Sequence, residues 1–177
     1  MTISKEERIQ IFENAISWVV VFAMFIYGAA KVIQFDGGSE VDKFVSDMTG
    51  MELMWAFYGY SKPFVLVLGA VEITGGVLIL IKRTRILGCL LTSTVLVNVI
   101  LQDVFYEVNT GALIAAIIYQ TLIFIILWMN RFKLIESFKV LVGGKLNHRH
   151  RKNFWRNLII AFVLFVLLRV TEYYLTH

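Results

Sequence analysis

Glu72 stands between Gly69 and the pair Gly75-Gly76 inside an apolar run, Pro63 to Ile81, that is long enough to cross a bilayer. An ionisable side chain at membrane depth is costly and usually marks a partner, a proton path or a bound group. A carboxylate there has three options: it stays protonated, it pairs with a cation, or it faces a wet cavity where it can meet a ligand or relay a proton. Other polar residues fall in neighbouring runs. Thr94, Asn98 and Gln102 form an i, i+4, i+8 stripe, and Gln120 lies about as deep as Glu72 counted from the same end. Lys31, with Tyr27 and Gly28 on its face, closes the first run and is the natural counter-charge for Glu72. Together these residues read as a polar binding site, with no side chain singled out as catalytic.

Each of these residue types also has a structural use. Asn and Gln hold membrane helices together by hydrogen bonds, and a lysine near the surface snorkels to the headgroups. Glu72 is too short and too deep for that. Asp103 ends its run and falls off the polar stripe, so it is expected to be an interfacial carboxylate. Arg169 and Glu172, three apart in the last run, are expected to pair with each other.

Several chemistries are set aside. Cys89 is the only cysteine, which leaves no internal disulfide and no dithiol. The apolar runs hold no histidine, the usual axial ligand of a membrane haem. His148 and His150 flank Arg149 in a strongly basic stretch, where cation repulsion disfavours a metal. No phosphate-cradling glycine loop, zinc-protease pair or serine elbow occurs. No metal and no intrinsic cofactor are expected.

The elements that must position the polar set are membrane helices. Hydrophobic residues make up 58% of the 177 residues and mean hydropathy is +0.73, far from a soluble balance. A hydrocarbon core of roughly 30 Å needs about 20 apolar residues in helical form. Five runs qualify: Ala15 to Phe35, Pro63 to Ile81, Ile86 to Tyr106, Gly111 to Met129 and Trp155 to Leu175. They are continuous rather than alternating, which excludes a barrel. The fold class is therefore all-α and polytopic. Gly28-Ala29-Ala30 would suit signal-peptide cleavage, but acidic residues precede the run and Ser4 and Glu7 have capping-box spacing. One uncleaved helix from about Lys5 to Gln34 is the expectation. In the second run, Val65, Leu68, Gly69, Glu72, Gly75, Gly76 and Ile79 share a face, which turns Glu72 into the bundle.

Charge sets the orientation. Lys82-Arg83-Thr84-Arg85 joins spans two and three, and Arg131, Lys133, Lys139, Lys145, Arg149, Arg151, Lys152 and Arg156 lie between spans four and five. Cytoplasmic loops retain such residues, and the other two links are acidic. The expected topology is a cytoplasmic N-terminus and an external C-terminus in the cell membrane. The net charge of +4 then follows from orientation, and no nucleic-acid partner is implied. Phe132, Ile135, Phe138 and Leu141 recur at helical spacing, so an interfacial helix should run along the inner surface until Gly143-Gly144. Its basic continuation, 145–152, should favour anionic lipid. Outside, Met51 to Tyr60 gathers Trp55, Phe57, Tyr58 and Tyr60, either as an aromatic belt or as a lid over an outward-opening cavity.

Tyr27-Gly-Ala-Ala-Lys31, the stretch Gly69-Ala-Val-Glu72-Ile-Thr-Gly75-Gly76-Val-Leu-Ile-Leu80, the turn Arg83-Thr-Arg-Ile-Leu-Gly88 and Asn98-Val-Ile-Leu-Gln-Asp-Val-Phe-Tyr106 resemble the DoxX-like membrane proteins. The resemblance covers about residues 15 to 130. It implies a four-helix membrane domain, residues 1–135, followed here by a basic cytoplasmic linker, 136–154, and an additional transmembrane helix, 155–177. The family takes its name from a subunit of a thiosulfate:quinone oxidoreductase, and its relatives include a receptor assembly chaperone and partners of redox enzymes. What the resemblance implies is a helical module with no single chemistry, with Lys31 and Glu72 as its polar site. The expected function is a noncatalytic membrane subunit or assembly factor binding a lipid, a quinone or a partner helix. The alternative is a membrane subunit of a quinone-linked oxidoreductase, with redox centres on a partner protein. A small proton-coupled transporter ranks below both, because no inverted repeat is evident.

Overall fold

The computed structural model describes residues 3–143 and 154–176, and the regular elements among them are all helices. The basic stretch 145–152, its two histidines and Gly144 lie outside the described residues. The first helix, α1 (Lys5–Ala30), opens with the capping box read from Ser4 and Glu7: the Glu7 N–H donates to Ser4 Oγ at 3.2 Å, and the Ser4 N–H to Glu7 Oε2 at 2.8 Å. It stops at Ala30 rather than at Gln34. Beyond that point the chain tightens into successive turns, with the Val32, Ile33 and Gly38 N–H groups donating to the Ala29, Ala30 and Phe35 carbonyls at 3.0–3.1 Å. Gly37 sits at φ +74, a left-handed conformation that glycine takes without strain. The Lys62 ammonium grips the Val32 carbonyl and the Asp36 carboxylate and so holds this turn in place.

A short 3-10 helix, Val45–Asp47, comes next, and six α-helices follow among the described residues: α2 (Gly50–Tyr60), α3 (Lys62–Leu80), α4 (Arg85–Tyr106), α5 (Thr110–Met129), α6 (Arg131–Val142) and α7 (Phe154–Thr176). A second capping box, Thr49 with Glu52, starts α2, and Pro63 occupies the first turn of α3, where its missing N–H costs nothing. The Lys43 ammonium and the Thr49 N–H and hydroxyl stabilise the Glu52 carboxylate and lower its pKa from 4.5 to about 2. α4 ends at Glu107 in the left-handed region, and Asn109 caps α5 by accepting from the Ala112 N–H at 2.9 Å. Five of the helices, α1, α3, α4, α5 and α7, are long and apolar enough to cross a membrane, and the protein is a multi-pass membrane protein.

The chain divides into two units, residues 1–135 and 136–177. Within the first, α1 packs on α3 and α5, α4 packs on α3 and α5, and the four close into a bundle with α2 laid against α3. Val20, Met24, Ile79, Leu96, Ile123 and Ile126 fill its core. The buried residues of α3 are Val65, Gly69, Glu72, Gly75, Gly76 and Ile79, and Leu68 is half-buried, so the face expected from helical arithmetic is the one that packs. In the second unit α7 has no buried residue, and Arg169 pairs with Glu172 along the helix.

α1 and α3 cross where each carries a glycine. A Cβ on either Gly28 or Gly69 would stand 2.6 Å from the other's carbonyl oxygen, a separation that only displacement of a helix could relieve. Gly69→Leu should therefore destabilise the bundle by about 3 kcal/mol or more. Leu66→Ala, at an exposed position of the same helix, should cost under about 1 kcal/mol. Thermal melts in detergent check the contrast, and equal losses would show that the crossing is not tight.

Candidate functional site

A cavity of about 810 Å³ opens where the turn after α1, helix α2, the first half of α3, the second half of α4 and the start of α5 meet. Glu72 and Lys31 form part of its wall. Lys31 Nζ lies 3.6 Å from Glu72 Oε1, donates to Gln34 Oε1 at 2.9 Å, and sits 5.5 Å above the Phe35 ring. The Glu72 side chain is 5% exposed and that of Lys31 14%, so the pair is shielded from solvent on most sides. The second oxygen of Glu72, Oε2, accepts no hydrogen bond from the described residues.

α4 contributes the stripe. Thr94, Asn98 and Gln102 all line the cavity, and Gln102 Nε2 donates to Asn98 Oδ1 at 2.8 Å and to the Tyr58 hydroxyl at 2.6 Å. Asp103 departs from the sequence expectation. It is buried at 7% exposure, lines the same cavity, and leaves Oδ2 without a donor. Beside it, α2 meets this end of α4 at Tyr106, through Gly50, and at Gln102, through Tyr58.

Two expected members of the set go elsewhere. Gln120 is buried, but its Nε2 donates to Ser93 Oγ at 2.8 Å on a neighbouring face of α4, and it does not line the cavity. Tyr27 packs edge-on against Tyr119, with ring centroids 5.9 Å apart, and is likewise outside the lining. Helical spacing places these residues at the right depth but does not set the rotation of α5 or the choice between adjacent partners on α4.

Between belt and lid, the geometry favours a lid. Met51, Met54, Trp55 and Tyr58 of α2 line the cavity, and Phe35 stacks on Tyr58 at 4.8 Å and meets Trp55 edge-on at 4.9 Å. The lid is seated on backbone. A Cβ at Gly50 would come 1.6 Å from the Tyr106 carbonyl oxygen, so the start of α2 rests directly on the end of α4.

A second polar cluster, at the far end of α1, was not legible from the spans. Arg85, only 4% exposed, donates to Glu13 Oε1 at 3.0 Å, to Asn14 Oδ1 at 3.1 Å and to the Ile79 carbonyl at 3.1 Å. Asn130 Nδ2 also donates to Glu13 Oε1, at 3.0 Å. Read from the sequence, Arg85 is a loop cation and Glu13 an interfacial charge. The available signal was their opposite sign at the same end of two spans.

The chain is 31% identical over 121 residues to the uncharacterized protein YwoB of Bacillus subtilis (strain 168), an alignment covering 68% of this chain and 77% of that protein. The chain belongs to the YwoB family. No protein-family model matches it, and no solved structure does. In this member of the YwoB family the apolar and aromatic walls of the cavity surround a small number of polar groups, the usual form of a small-molecule site.

Proposed function

We propose that the protein is a noncatalytic membrane subunit or assembly factor of DoxX-like type, whose cavity holds a lipid, a quinone or a partner helix. The observation that carries this reading is the Lys31–Glu72 pair set in the wall of an 810 Å³ cavity beneath an aromatic helix. A purely structural pair would be packed over, whereas here Glu72 Oε2 is left without a donor beside open volume. That same free oxygen favours a second reading, in which Glu72 relays a proton for a quinone-linked oxidoreductase whose redox centres sit on a partner. Co-purification followed by mass spectrometry of bound lipids, quinones and proteins separates the two. An abundant bound amphiphile that disappears in Glu72→Gln supports the binding role; a wild-type protein that carries nothing, alone or in complex, would sink it.

The proposed setting is the cell membrane, with the N-terminus cytoplasmic, the C-terminus and the lid outside, and the basic linker against anionic inner-leaflet lipid. Its support is the charge of the links, acidic around Asp42, Asp47 and Glu52 and basic around Lys82, Arg83 and Lys133. Ser46 and Ser137 are both exposed, and Cys89 is buried. In intact cells, Ser46→Cys should react with an impermeant thiol reagent and Ser137→Cys should not. The reverse pattern would invert the topology.

A further inference from the structure

We propose that the cavity is entered sideways, from the bilayer, through a portal between α3 and α4, and that its occupant is a molecule dissolved in the hydrocarbon layer rather than in water. This deepens the binding role proposed above, by naming the route and the phase from which the ligand comes, and rests on it. The lining residues show the route by where they fall around each helix. On α4, Thr92 packs against α3, where a Cβ at Gly75 would come 2.4 Å from its hydroxyl oxygen, and Ser93 meets Gln120 of α5. Thr92 and Ser93 are about 100° apart, and the buried Leu96 falls between them. Counted from Thr92 in the direction away from Ser93, the cavity-lining residues Val99, Val95, Gln102 and Asn98 fall at about 20°, 60°, 80° and 120°. The lining thus begins inside the bundle, passes along α3, and ends on an outer flank of α4, where Thr94 and Asn98 are exposed.

α3 gives the matching half. Measured from Gly75, Glu72 lies about 60° toward the side on which Gly69 meets α1, and the lining residues Phe64 and Val71 lie about 20° and 40° to the other side. The gap between the two helices has two ends. Toward the middle of the membrane it is pinned shut by Gly75 on Thr92 and by Gly88, where a Cβ would stand 2.5 Å from the Ile79 nitrogen, and the lining stops at Glu72 on α3 and Thr94 on α4. At the other end α2 spans the two helices: its start rests on the Tyr106 carbonyl, its Tyr58 hydroxyl accepts from Gln102 at 2.6 Å, and Phe57 meets Phe64 edge-on with ring centroids 6.1 Å apart. The approach along the bundle axis is covered, and the approach from the side is framed by the exposed Phe57, Phe64, Thr94 and Asn98.

The polar groups at the portal say what passes it. The Thr94 hydroxyl is satisfied by the Leu91 carbonyl at 2.7 Å. Asn98 is not satisfied: its Oδ1 accepts from Gln102 at 2.8 Å, but its Nδ2 makes no hydrogen bond among the described residues. Asn98 lies eight residues from the end of α4, about 12 Å along its axis, which sets it well inside the hydrocarbon layer. A free amide N–H there is costly, so the portal favours a molecule that brings an acceptor oxygen with it. Behind the portal, Glu72 Oε2 is buried with no hydrogen-bond partner, whichever protonation state the carboxyl takes. Leu68, Val71, Val95 and Val99 supply the apolar wall between these points. An apolar body carrying oxygen functions matches that order of surfaces, and such a molecule reaches this depth through the lipid itself.

The test is contact quenching of tryptophan fluorescence in the full chain reconstituted into bilayers. Trp18, Trp55, Trp128 and Trp155 are each replaced by phenylalanine, and Val95→Trp places the one reporter on the cavity wall behind the portal. Replacing the host lipid with phosphatidylcholine brominated at mid-chain should quench this reporter about as much as it quenches Val97→Trp, an exposed position at nearly the same depth of α4, and iodide in the buffer should quench it little. Adding Thr94→Phe and Asn98→Phe, which fill the portal, should restore the emission of the Val95→Trp reporter and leave that of Val97→Trp quenched. Leu68→Trp, on the opposite wall, takes the reporter's place if Val95→Trp does not fold. Quenching by iodide equal to that by the brominated lipid, or lipid quenching that persists with the portal filled, would overturn sideways entry while leaving the cavity as a binding site. A reporter that neither quencher reaches would overturn both this route and the binding role beneath it.

Discussion

Lys31→Met should destabilise the protein by about 3 to 5 kcal/mol, because it strands the Glu72 carboxylate in a wall where no other cation stands within ion-pair distance among the described residues. Glu72 lies about ten residues into α3, roughly 15 Å along its axis, too deep for so short a side chain to reach bulk water. Adding Glu72→Gln to Lys31→Met should restore a good part of the loss, since removing both members of a buried pair costs less than removing one. The measurement is a double-mutant cycle of detergent melting temperatures with retained ligand monitored in parallel. Strictly additive losses would remove the pairing from the account of why Glu72 is tolerated. If Glu72→Gln alone melted and bound as the wild type does, Glu72 would have no part in the site.

How much of this was legible in the sequence depends on which physical rule each feature obeys. The inward face of α3 follows from helical period alone, and small residues together with one carboxylate mark it without ambiguity. The Lys31–Glu72 pair follows from scarcity, since few cations lie near that depth and a buried carboxylate needs one. Asp103 lines the cavity beside Gln102, at an end of α4 where α2 is seated by the backbone contact at Gly50 and the Tyr58–Gln102 hydrogen bond, and the period of α4 alone does not show contacts of that kind. Gln120, expected with the cavity residues because it lies about as deep as Glu72, meets Ser93 instead for a related reason. Ser93 and Thr94 are adjacent, about 100° apart around α4, and which of them faces α5 is a property of helix rotation that no single span encodes. The end of α1 at Ala30 reflects the grip of Lys62 on Val32 and Asp36, a contact between segments some thirty residues apart. Local patterning thus predicts what each helix buries, and the contacts between elements decide what meets across the cavity.

Arg85→Met should cost about 3 kcal/mol and leave the cavity unchanged, which would separate the molecule's two polar centres by their roles. Arg85 ties Glu13 and Asn14 of α1 to the Ile79 carbonyl near the end of α3, and Asn130, just beyond α5, closes on the same Glu13 oxygen. Without the guanidinium, the Glu13 carboxylate keeps only the Asn130 amide, and the Ile79 carbonyl loses its side-chain donor. Glu13 retains 18% side-chain exposure, so some water can compensate, and the loss falls at the lower end of the range for a broken buried pair. Arg85→Lys should recover little, because a single ammonium cannot span the three acceptors that the planar fork reaches. Adding Glu13→Gln to Arg85→Met should be milder than Arg85→Met alone. Residues 13 and 31 lie about 27 Å apart along the direction of α1, close to the thickness of a hydrocarbon core, so the clasp and the cavity occupy opposite ends of the bundle. At that separation the Arg85 and Lys31 substitutions should add to within about 0.5 kcal/mol. Ligand retained on purification should survive Arg85→Met and fail in Glu72→Gln. If Arg85→Met instead melted like the wild type, or emptied the cavity while melting normally, the cluster would belong to the functional machinery and not to the scaffold that holds it.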